Sequence, residues 1–135
     1  MKKLLLLLLF VTPIICFSQT SFSSEYTQQC DWNHYEGNWD DCGDAYEYNS
    51  LFVMNKDETM FTHTTSEMKS TYYIKSIEYS EEEANKDLYS YEVVSDVGNE
   101  YFFIFDFKNK EVRAVSTRGE EEDWYLIIWH IKSIF

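Results

Sequence analysis

The chain of 135 residues carries 24 Asp and Glu against 11 Lys and Arg, a formal net charge of −13, and is 44% hydrophobic and 19% aromatic. That length sets one domain with a single modest core. So negative a chain repels nucleic-acid phosphates and anionic membrane surfaces at long range, which excludes both as partners and leaves cationic ones open; the plainer use of the charge is to keep an exported protein in solution.

The first element is not part of the fold. Residues 1–18, MKKLLLLLLFVTPIICFS, place two lysines before an almost unbroken apolar run from Leu4 to Phe17, then a small polar residue. This is the layout of a secretory signal peptide, cut after Ser18, and it sends the mature protein to the periplasm or the extracellular space. The run is shorter than the about 20 apolar residues of a membrane-spanning helix and contains Pro13, so no transmembrane segment is expected in the mature form. Lipid attachment at Cys16 is the alternative, but Ile15 before it is large where such signals need a small residue. Cleavage takes Lys2 and Lys3 with it, which moves the net charge from −13 to about −15.

Residues 19–29, QTSFSSEYTQQ, are polar and rich in Ser, Thr and Gln, and are expected to form a flexible leader. After cleavage only Cys30 and Cys42 are left, and a single pair in an exported chain predicts a disulfide, worth roughly 3 kcal/mol for a loop of this size. Metal ligation by these thiolates lacks the Cys-x-x-Cys spacing it would need. The stretch 30–48 that contains both holds six acidic residues and no Lys or Arg.

From residue 50 onward, short β-rich runs alternate with polar turns. SLFVM at 50–54 and TMFTHTT at 59–65 read as a hairpin across 55–58. Further strands are expected at 70–79, 88–95, 100–107, 111–117 and 124–131, and one more at 35–39 or 44–48. Gly98-Asn99 supplies a tight turn, and Lys108-Asn109-Lys110 a short polar reversal; both connectors are too short for parallel crossovers. Between two of the strands, residues 80–87 carry a Ser80/Glu83 capping box, which fits a single helical turn or an irregular loop equally well.

Tyr89, Tyr91 and Val93 share one face of the 88–95 strand, with Ser90 and Glu92 on the other. By contrast, 101–105 and 124–131 are apolar on both faces, and no long amphipathic helix exists to cover the second face. The expected fold is therefore all-β: a single antiparallel meander of about eight strands over residues 30–135, closed or nearly closed into a barrel, with a β-sandwich as the alternative.

Gly37-Asn38-Trp39, followed by the hairpin SLFVMNKDETMFTHTT, resembles the Gly-x-Trp and ensuing strands at the start of lipocalins and lipocalin-like exported bacterial barrels. The resemblance implies that Trp39 packs across the closed end of the barrel and that Gly37 permits close backbone approach.

Motifs that would carry chemistry are missing. His34, His63 and His130 are scattered, with no His-Glu-x-x-His, and no Gly-x-Ser-x-Gly, phosphate-cradling loop or dinucleotide fingerprint occurs. Asp40, Asp41 and Asp44 do not follow the alternating ligand spacing of an EF-hand loop. Carboxylates are too abundant for any pair to stand out as a glycosidase centre. No catalytic residue, metal or cofactor is therefore expected. Glu120-Glu121-Glu122-Asp123 reads as a solvated turn that keeps the apolar run behind it from edge-to-edge pairing, or as a recognition loop for a basic partner.

The leading expectation is a non-enzymatic exported barrel that binds a small apolar or amphipathic molecule. Trp39, Tyr89, Tyr91, Phe103, Phe105 and Trp129 are the candidate lining, and the same residues serve equally as core. The alternative, from another class, is an acidic protein-binding module such as an inhibitor of a cationic extracellular enzyme like lysozyme. A structural or surface-associated protein is the third.

Overall fold

A computed structural model of the chain describes residues 19–40, 42–79 and 87–135. The signal-peptide reading of 1–18, Asp41 of the acidic loop and the capping box at Ser80 and Glu83 lie outside the described residues. Among the described residues nine strands follow one another: β1 Thr20–Asn33, β2 Asn38–Asp40, β3 Tyr46–Met54, β4 Met60–Thr64, β5 Lys69–Tyr79, β6 Leu88–Ser95, β7 Glu100–Asp106, β8 Glu111–Ser116 and β9 Tyr125–Ile134. A 3-10 turn, Glu121–Asp123, precedes β9.

Neighbours in sequence pair antiparallel from β3 through to β9, and β1 pairs with β3 along one edge and with β9 along the other. The result is a closed eight-stranded antiparallel barrel with one extra strand, β2, added beside the C-terminal end of β1. Closure leaves no second sheet, which decides against the sandwich.

Turn chemistry follows the sequence. Asn55 accepts the backbone N–H groups of Thr59 and Met60 on its side-chain oxygen at 2.9 and 3.2 Å, so the β3–β4 hairpin carries Leu51 opposite Thr64. At the β6–β7 turn Gly98 takes φ +86°, a conformation that penalises any Cβ, and its N–H reaches the Ser95 carbonyl at 2.9 Å. Where β7 turns into β8, the buried Asp106 carboxylate accepts the Asn109 backbone and side-chain amides at 3.0 and 2.8 Å and Arg113 Nη2 at 2.8 Å. Burial pushes this carboxyl up, but the Asn109 amides and the Arg113 guanidinium outweigh that and hold it below the usual carboxylate range.

One expectation is overturned. The polar segment 19–29 is not a flexible leader: residues 20–29 belong to β1, the longest strand, which closes the barrel by pairing Phe22 through Asp31 with β9. The register shifts between Ser24 and Tyr26, so the buried positions run Phe22, Ser24, Thr27 instead of keeping a strict period of two. That bulge, with small hydroxyl residues at the buried positions, erases the alternation by which a strand is recognised.

The interior is filled by rings. Phe52, Phe61, Phe103 and Phe105 are each about 1% exposed and meet edge to face: Phe61 with Phe103 at 4.9 Å and with Phe105 at 5.5 Å, Phe52 with Phe105 at 6.3 Å. Trp129 stacks on Phe103 at 6.1 Å and meets Phe52 at 5.1 Å. Edge-to-face pairs add about 0.5–1.5 kcal/mol each beyond the burial of the rings themselves. Since Phe103 and Phe105 face in, Phe102 and Ile104 face out. Registered partners share a face, which puts Val115, Leu126 and Cys30 on the outside with Phe102. The two-sided apolar strands thus serve the core on one face and a partly covered outer surface on the other.

Candidate ligand site at the barrel mouth

Six residues were candidates for a ligand lining, and the fold distributes them over three places. Tyr91, Phe103, Phe105 and Trp129 come together in the middle, where Tyr91 meets Phe105 at 5.3 Å and all four are buried against one another and their neighbours. Tyr89 lies at one end of the barrel, edge-on to Phe107 at 5.4 Å, with Phe22 5.3 Å from Phe107.

Trp39 belongs to neither group. It stands opposite Trp32 in the β1–β2 pair, and the two rings meet edge-on at 5.0 Å; Trp32 in turn lies 5.7 Å from Trp124. By alternation from Cys30 this row of tryptophans is on the outer face, so Trp39 does not pack across a barrel end. Gly37 does not serve close approach either: a Cβ there would meet nothing within 4 Å, and its φ of +66° instead makes the turn.

The opposite end of the barrel has a polar rim that the sequence did not single out. In-register pairing carries Tyr72 opposite Ser95 and Ser116 opposite Tyr125, which is opposite Asp31. Tyr101 enters from the start of β7, edge-on to Tyr72 at 5.9 Å. Above these residues lies a depression of about 390 Å³ lined by Asn99, Glu100, Tyr101, Ser116, Arg118, Asp123 and Tyr125. A second hollow of about 380 Å³, on the outer side of the same turn, has Val94, Phe102 and Val115 in its wall and shares Arg118 with the first.

The mouth combines neutral phenols, the Arg118 guanidinium and two carboxylates, Glu100 and Asp123. Burial, with a hydrogen bond to Tyr125, pushes the Tyr101 hydroxyl up to about 12, so it stays protonated and able to donate at any physiological pH. Burial likewise raises Tyr72. Arg118 Nη1 donates to the Asn99 side-chain oxygen, and among the described residues no carboxylate lies within ion-pair distance of it. Glu100 and Glu92 are instead held by Lys75, at 2.9 and 3.4 Å.

Two further polar sites matter for chemistry. His63 and Ser50 face each other inside the barrel with Nε2 and Oγ 3.0 Å apart, His63 stacked on Phe52 at 4.3 Å and edge-on to Trp129 at 5.0 Å. Burial lowers the imidazole to about 4, so it is neutral at pH 7. The pair has the spacing of a nucleophile and its base, but both groups are buried, and no described carboxylate orients the ring, as a triad requires. Of the acidic loop, Asp40 accepts from Asn33 Nδ2 at 2.8 Å, and among the described residues no three His, Cys, Asp or Glu side chains converge to hold a metal ion.

Sequence reasoning missed the mouth because its residues come from several strands and the linkers between them, each an ordinary polar or aromatic residue in its own segment. Only the registers bring them to one level. No protein-family model, no curated protein and no solved structure matches the chain.

Proposed function

We propose that the protein is an exported, non-enzymatic, lipocalin-like binding barrel that takes a small amphipathic molecule at its tyrosine-lined mouth. The observation that carries this reading is the contrast between a middle packed with rings and a depression of about 390 Å³ at one end, within the range that holds small ligands. The faces of Tyr101 and Tyr125 offer apolar contact, while the Tyr101 hydroxyl, Ser116 and Arg118 offer hydrogen bonds, which suits a ligand with both kinds of surface better than a purely apolar one. The N-terminal lysines and apolar run support export, as does the Cys30–Cys42 disulfide, a bond that persists in oxidising compartments.

The test pairs native mass spectrometry of the protein purified from its own host with titration of 1-anilinonaphthalene-8-sulfonate as an amphipathic probe. Saturable binding that weakens about tenfold or more in Tyr101→Ala/Tyr125→Ala supports the reading, the size expected for losing about 1.4 kcal/mol of contact. Absence of both an adduct and probe binding, or probe binding indifferent to the two substitutions, overturns it.

A further inference from the structure

The β1–β2 hairpin is fixed far more firmly than its part in the barrel requires. β2 has three residues, pairs only with β1, and supplies no side chain to the core. Yet the Cys30–Cys42 disulfide closes the hairpin at its base, and Trp32 and Trp39 lock its two strands across the register. Asn33 organises the turn: its side-chain oxygen accepts the N–H groups of Tyr35 and Glu36 at 3.0 and 3.2 Å, its Nδ2 donates to Asp40 at 2.8 Å, and its carbonyl accepts Gly37 N–H at 2.8 Å. Below the turn, Gly43 and β1 exchange hydrogen bonds at 3.0 Å (Gly43 N–H to the Gln29 carbonyl) and 2.8 Å (Gln28 Nε2 to the Gly43 carbonyl).

What this fastening holds out is Tyr35, 89% exposed at the tip, with the His34 ring 3.9 Å away and Glu36 beside it. Covering the outer face of β9 needs the tryptophans but not the tip, so Tyr35 has no role in the barrel. A rigid, exposed aromatic is the arrangement that lowers the ordering cost of binding and supplies an anchor for a partner's pocket. Glu36 next to it in the turn and Asp40 bonded to Asn33, within a stretch 30–48 that has no Lys or Arg, make the surround of the anchor negative, which steers a positively charged partner.

We infer that the β1–β2 hairpin is a preorganised docking finger, with Tyr35 as its anchor, for a cationic protein that offers a pocket or cleft with a basic rim. The inference is independent of the ligand proposed for the mouth, which lies on other residues.

Lysozyme and pancreatic ribonuclease A, both basic with open clefts, are the probes, and polylysine carries charge without a pocket. Calorimetry at low salt is expected to give saturable binding to at least one of the enzymes. Tyr35→Ala should weaken that binding about thirtyfold, and Glu36→Gln by a few-fold, with a shallower salt dependence. Tyr46→Ala, which removes another exposed tyrosine, 52% accessible and outside the hairpin, should leave it unchanged. Circular dichroism checks that each variant folds, and Tyr101→Ala/Tyr125→Ala should bind as the wild type does. Three results would overturn the inference: no saturable binding to either enzyme, equal binding by Tyr35→Ala, or displacement of the enzyme by polylysine at matched charge.

Discussion

In the middle of the barrel, Phe103 is held by Phe61, Tyr72 and Trp129 from three other strands and by Phe105 from its own. In the β1–β2 hairpin, Trp39 is held by Trp32, Asp40 by Asn33, and Cys42 by Cys30, partners no more than 12 residues apart in the chain. The first region is fixed by water exclusion and close packing, which need the whole fold. The second is fixed by a covalent bond and local hydrogen bonds, which need almost none of it. The lesson is that rigidity in this small protein has two independent sources, and that the locally fixed region is the one that presents an aromatic to solvent.

The sharpest way to break this comparison is Phe103→Ala. Removing a fully buried ring leaves a cavity among four others and should cost about 3–5 kcal/mol in urea denaturation, with the hairpin disulfide still formed. Acid should produce the next largest effect, also confined to the middle. His63 is neutral when folded, with a pKa of about 4 against its ordinary 6.5, so the unfolded chain takes up the proton first as pH falls. The stability this represents is complete above pH 6.5 and lost between pH 6.5 and 4, roughly 3 kcal/mol in all. His63→Phe should remove that step from the pH profile of thermal unfolding.

Cys30→Ala/Cys42→Ala is expected to cost about 2–3 kcal/mol, chiefly by freeing the unfolded chain. Hydrogen exchange sharpens the point: amides of 33–40 should exchange faster in this variant than the lower global stability alone explains, while those of β7 should follow the global change. The smallest effect belongs to Trp39→Ala, about 1 kcal/mol, since its ring is only partly buried and its loss leaves the barrel interior untouched. A loss comparable to that of Phe103→Ala would show that the hairpin and the barrel are one cooperative unit after all.

Much of the architecture was legible because strands and turns are local. β6, Leu88–Ser95, spans the expected run, and the hairpin across Asn55, the Gly98 turn and the reversal before β8 all fall where turn residues placed them. The disulfide followed from counting cysteines. The mouth was illegible for the opposite reason: Tyr72, Tyr101, Ser116 and Tyr125 meet only through four registers, and no one segment encodes a register with its neighbour.

By itself, then, the sequence determined an antiparallel all-β chain, a meander of successive strands from residue 50 onward and a covalent staple, because period-two patterning, turn chemistry and cysteine pairing act locally along the chain. The tertiary structure alone decided that Thr20–Asn33 closes the barrel, that Phe103 and Trp129 fill its middle, and that Trp39 lies outside it. The physical reason is that alternation defines two faces but not which is inside, and one bulge, at Ser24–Tyr26, shifts the pattern for everything beyond it.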